Sequence, residues 1–253
     1  MTNKERALEI AKLHPSDQYL YFKSISGLCY IYFYKGKISK IFDGAERLIE
    51  FGENNFNSRS KVLGYWMKSF GYLAVGDMKS TKKFSEKAID AALDPFYGQF
   101  PKATLGIAYF FNNQFEEAED ILLSGIKYYE SHGEGNTAGV CRYFLAPIQI
   151  AKGKMNQGKQ LMQNTQKALI DNNRRVHYAL SEYILGEVNL QIVAGPKPSL
   201  PIMAKNLGFL IRNVPFASQN AEKHLCNAIK LLEQMKVKVY LGLAYLSLGL
   251  LHK

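Results

Sequence analysis

Apolar residues recur at three- and four-residue intervals along almost the whole chain, with polar residues between them. That period sets the apolar side chains on one stripe of an α-helix, and no segment alternates strictly enough to predict a strand. Even Tyr30–Tyr34, β-prone in isolation, falls inside a helical period. With the breakers, the pattern predicts helices over 2–13, 17–35, 38–54, 58–75, 78–93, 100–112, 115–131, 136–151, 155–171, 174–193, 200–213, 217–234 and 237–251. Ser16-Asp17, Asn57-Ser58 and Ser218 stand where N-caps are needed. Gly52, Gly133-Glu134-Gly135 and Asn172-Asn173 read as loops. The expected fold class is all-α.

The helices repeat. A small residue sits within the first helix of each pair, at Cys29, Ser69, Gly106, Ala146, Gly186 and Gly242. Subtracting those numbers gives steps of 40, 37, 40, 40 and 56. Gly36, Gly76 and Gly153 each follow their anchor by seven residues, with Asn113 and Val193 in the other two places. Antiparallel helices that approach closely need small side chains at the crossing. Ala88, Ala118, Gly125, Ala221 and Ala228 supply them on the second helices, while Tyr32, Tyr72, Tyr109 and Tyr245 fill the gaps between neighbours. A step near forty implies second helices or loops longer than those of a thirty-four-residue repeat.

Two places depart from the period. Between Val193 and Ala221 the chain carries an inserted segment, 194–216, opened by Gly195-Pro196-Lys197-Pro198. Its Leu200, Met203, Leu207, Leu210, Ile211 and Val214 form a stripe expected to pack on the rest of the protein. The other departure is at the ends. Ala7–Ala11 reads as the tail of a second helix, and Leu241–Leu251 as a first helix without its second, so half-repeats flank a single 1–253 solenoid.

Leu105-Gly106-x2-Tyr109, a polar turn and Phe115-Glu116-Glu117-Ala118 follow the tetratricopeptide pattern, which Leu241-Gly242-x2-Tyr245 and Ala221-x3-Leu225-x2-Ala228 repeat in part. The whole chain resembles a tetratricopeptide-repeat array, which implies a right-handed superhelix of antiparallel helix pairs. A second likeness rests on Lys205-Asn206-Leu207-Gly208-Phe209-Leu210-x2-Asn213-Val214-Pro215, on Ala221-Glu222-x-His224 and on Leu248–Lys253. These look like the C-terminal arm of bacterial signalling proteins in which class III nucleotidyl-cyclase and AAA-type ATPase domains precede the repeats. The metal-binding aspartates and purine-selecting residues of that cyclase family have no counterpart here, so cyclase activity would reside elsewhere.

Chemistry is sparse. The chain shows no P-loop, Gly-x-Gly-x2-Gly, His-Glu-x2-His or Gly-x-Ser-x-Gly motif. The five histidines, His14, His132, His177, His224 and His252, fall in different repeats without metal-ligand spacing. Glu116-Glu117 with Glu119-Asp120 opens a helix, where negative charge suits the dipole. Cys29, Cys141 and Cys226 lie far apart and are expected to be buried, reduced thiols of a cytoplasmic protein. No apolar run spans a bilayer. The sequence therefore predicts neither enzyme activity, cofactor nor metal.

Charge is the remaining clue. A formal +10 invites nucleic acid or an acidic surface, but the densest lysines, Lys61, Lys68, Lys79, Lys82, Lys83 and Lys87, are spaced as outer helix faces. The expected partner is an apolar or amphipathic protein segment in the concave face, with nucleic acid or an acidic surface as the alternative. The inward positions there are Tyr30 and Phe33, Trp66 and Phe70, Ile107 and Phe110, Tyr143 and Ile150, and Tyr183 and Glu187. The same pattern also fits aromatics that are simply core, and an aromatic groove could sense a small molecule. Leu243, Leu246 and Leu250 leave an apolar face on the last helix, which predicts that this end is covered by a second copy of the chain as a homodimer, by a neighbouring domain or by the 200–213 segment.

Overall fold

A computed structural model describes residues 3–13, 17–195 and 199–253. Among them there is no strand; the chain is an all-α helical repeat. Its contacts gather into two compact units, 1–121 and 122–253, with the division inside one helix.

The first unit contains α1 (Asn3–Leu13), α2 (Gln18–Tyr34), α3 (Ile38–Asn54), α4 (Ser58–Ala74), α5 (Met78–Asp90) and α6 (Pro95–Phe111). α7 (Phe115–Ser131) carries the division. The second unit continues with α8 (Gly135–Ala151), α9 (Met155–Asp171), α10 (Arg175–Ala194), α11 (Leu200–Lys205), α12 (Leu207–Asn213), α13 (Ala217–Met235) and α14 (Lys238–Leu251). Within each unit, helices adjacent in the chain pack on one another, as α3 on α4 and α8 on α9. First helices also pack on the next first helix: α2 on α4 and α4 on α6 in one unit, α8 on α10 and α10 on α14 in the other.

One turn is used throughout. Three residues join most helices, and the middle one is left-handed: Gly36, Phe56, Gly76, Asn113, Gly133, Gly153 and Asn173 all have φ between 51° and 78°. The next residue's N–H reaches back to close the helix end, as Lys37 N–H does to Tyr32 O at 2.9 Å and Arg174 N–H to Leu169 O at 2.7 Å. Helices of 17 residues with such turns give the forty-residue step. The extra length thus lies in first and second helices alike, and the loops stay short. The step of 37 is explained by α5, which stops after 13 residues. Pro95 opens α6, and Asp94 before it is extended and caps the Phe96 N–H, so the helix begins five residues earlier than the periodicity predicts.

Other expectations also shift. Gly52 is no loop residue: it is buried inside α3, where a Cβ would come within 2.8 Å of Asn57 O and Lys61 N. Asn57 and Asp17 cap their helices through the Ser60 and Leu20 N–H groups, whereas Ser218 lies within α13 and does not cap it. Val193 is helical, because α10 runs on to Ala194. Five of the small anchors are buried, but Gly242 is exposed with nothing within 4 Å of a Cβ; Ala244 and Ser247 take the crossing in α14. Tyr245 correspondingly faces out. Cys29 and Cys141 are buried, and Cys226 is exposed.

The insert differs most. Met203, Leu207, Ile211 and Val214, read as its packing stripe, are exposed, while Asn206 and Phe209 are buried. Asn206 decides which face docks: its Nδ2 donates to Ile202 O at 2.9 Å and to Gly153 O at 2.8 Å, a carbonyl that a leucine would leave bare. Residues 196–198 of the Gly-Pro-Lys-Pro motif, like Ser16 and His14, lie outside the described residues.

Candidate functional site

The groove positions named from the sequence divide by burial. Phe33, Trp66, Ile107, Tyr143 and Tyr183 are buried, and Tyr30, Phe70, Phe110, Ile150 and Glu187 are half-buried. In the first unit the structure brings Tyr30, Phe33, Trp66 and Phe70 into one cluster between α2 and α4, with ring centroids 4.9–5.6 Å apart. Phe100 of α6 stacks on Trp66 at 5.1 Å, and the indole N–H donates to Thr104 Oγ1 at 2.8 Å. These rings fill the interior between successive first helices. Phe110 packs on Phe111 and Phe115 instead.

In the second unit the corresponding positions scatter. Tyr143 Oη lies 3.5 Å from His177 Nδ1. Ile150 borders a cavity. Tyr183 packs beside Tyr240, and burial pushes its phenol pKa up. Burial also raises the Glu187 carboxyl, which the Ser247 hydroxyl partly opposes.

His177 is the most perturbed imidazole. Burial, helped by the nearby Arg174 charge, lowers its pKa from 6.5 to about 4. The folded protein therefore holds it neutral where the unfolded chain would bind a proton. Stability from this residue is complete above pH 6.5 and declines as the pH falls towards 4, by roughly 2 kcal/mol after discounting its partial exposure. His177→Phe should flatten the pH dependence of the melting temperature across that window. An equally steep profile in the variant would contradict the assignment.

Sequence reasoning missed the densest polar cluster. Glu182 of α10 is 3% exposed, yet its carboxylate is fully engaged. It accepts from Gln166 Nε2 at 2.7 Å, His224 Nδ1 at 2.9 Å and Asn227 Nδ2 at 3.3 Å. Burial alone would raise its pKa; the hydrogen bond and charge of His224, with Asn227 and Tyr178, outweigh it and hold the carboxyl below its ordinary value. An ionised carboxylate only accepts, so His224 carries its proton on Nδ1. The signal available beforehand was a glutamate on the apolar stripe of a first helix, facing the Ala221-x2-His224 segment.

The lysines singled out in the sequence lie mostly on aromatic rings. Lys68, Lys83 and Lys87 lie over the Phe84 ring, and Lys82 over Tyr109 at 4.4 Å. Lys68 also pairs with Glu46. Among the described residues, no group of three or more His, Cys, Asp or Glu is placed to hold a metal, and no helix is long and apolar enough to cross a membrane.

The largest apolar exposure on one helix lies along α14. Leu243, Leu246 and Leu250 are 41%, 61% and 51% exposed, at the spacing of a single helical face. Tyr245, on a different face of the helix, is also exposed and donates its hydroxyl to Glu233 Oε1 at 2.6 Å. No protein-family model matches the chain, and no curated protein matches it either.

Proposed function

We propose that the protein is a non-catalytic, tetratricopeptide-like interaction module whose partner is an amphipathic protein helix, in the simplest case α14 of a second copy. The observation that carries this reading is the α14 leucine face. Exposed apolar residues are common singly, but three leucines in line on one helix are the geometry by which helices pack together. A two-fold arrangement would cover both faces at once and close the assembly. The likeness of residues 205–215, 221–224 and 248–253 to the arms of cyclase–ATPase signalling proteins supports a regulatory setting for that contact.

Light scattering tests it directly. The wild type should elute at twice the monomer mass, and a Leu243→Glu, Leu246→Glu, Leu250→Glu variant should be monomeric with unchanged helicity. These side chains already face solvent, so the variant should fold. A wild type that stays monomeric at every concentration, with a variant that behaves identically, would overturn the reading.

A further inference from the structure

The insert does more than interrupt the repeat. α12 lies across α9, where Lys159 Nζ donates to Asn213 Oδ1 at 2.8 Å and sits over the Phe209 ring at 5.9 Å. Between this wall and helices α8, α9, α10 and α13 is a cavity of about 200 Å³ within the second unit. Its lining mixes apolar side chains, Ile150, Leu185, Val188, Ile192 and Phe209, with polar ones, Lys159, Gln163, Gln166, Asn189, Asn213, Asn220 and His224.

We infer that this cavity is a binding site for a small amphipathic carboxylate, with Lys159 as its anion anchor. Three features define the ligand. Size comes first: the space suits a benzene-sized body bearing one polar group. Second, the lining is mixed, so it suits a ligand with both an apolar body and a polar head. Third, the polar part of the lining is cationic and amide-rich and includes no carboxylate. Lys159 contacts a neutral amide and a ring face rather than an acid. The Glu182 carboxylate is engaged by His224 and Gln166. That contact fixes the orientation of the imidazole through Nδ1. The amides of Gln163 and Asn220 offer further donors. An amine would meet Lys159 unfavourably, and a neutral amide would gain nothing from it.

The test is a titration of the full chain with benzoate, benzamide and benzylamine, three probes of one shape and different charge. Methyl resonances of Ile150, Leu185, Val188 and Ile192 report occupancy. Benzoate should shift them saturably with one site, and the other two should bind at least about tenfold more weakly. Lys159→Met should weaken benzoate by about tenfold or more while the circular dichroism stays native. Should that variant misfold, the charge series on the wild type still decides. Absence of saturable shifts with benzoate, equal binding of benzamide, or undiminished binding by folded Lys159→Met would each overturn the assignment.

Discussion

Trp66→Ala should lower the stability of the protein by about 3–5 kcal/mol, the range for truncating a buried aromatic. Trp66 is 7% exposed and touches Tyr30, Phe70 and Phe100, so its removal opens a void that three rings and two helix interfaces cannot easily close. It also leaves Thr104 Oγ1, itself buried, without the indole donor. Trp66→Phe keeps most ring contact and loses the hydrogen bond, for a smaller loss of roughly 1 kcal/mol. Urea unfolding followed by circular dichroism would measure both. A Trp66→Ala protein within 1 kcal/mol of the wild type, on the order of a surface substitution, would mean the cluster does not hold α2, α4 and α6 together. Because the loss is in folding, any weakened partner binding by such a variant must be compared at equal folded fraction.

Glu182→Leu should also be damaging, at about 1–3 kcal/mol, for a different reason. The leucine takes the shared acceptor from half-buried His224 and Gln166 and from exposed Asn227. Glu182→Gln retains one acceptor oxygen and should cost less. Acid titration separates the charge from the packing. Since the folded carboxyl is held below its ordinary 4.5, its stabilisation is complete above that pH and is lost as the pH falls through the lowered value. Wild-type stability should therefore drop below pH 4.5 more steeply than that of Glu182→Gln. Parallel profiles would show that the network does not depend on the ionised form.

Periodicity made the helices and their pairing legible, because a repeat states the same packing rule several times and single exceptions average out. It located Gly36, Gly76, Asn113 and Gly153 at left-handed turns for the same reason. It misread sites where a local rule won. Pro95 moved a helix start that apolar spacing placed at residue 100. Gly52 looked like a loop but serves close backbone approach. In the insert, six apolar residues outweighed Asn206 by count, yet one amide matched to the Gly153 carbonyl set the docking face. The Glu182 network was hidden because its members come from three helices, and nothing in sequence spacing says which polar residues will share one acceptor.

The insert also changes how the chain must reach its fold. Most helix pairs here close through three-residue turns, so their contacts are local and form quickly. α10 and α13 are the exception: they pack extensively, yet residues 195–216 separate them. Closing that longer loop costs about 2 kcal/mol more chain entropy than a three-residue turn. The cost precedes the contacts that repay it, since Leu225 meets Gly186 and His224 meets Glu182 only after the two helices dock. A variant with a shortened insert is therefore expected to refold faster, with a smaller change in its unfolding rate, in stopped-flow measurements.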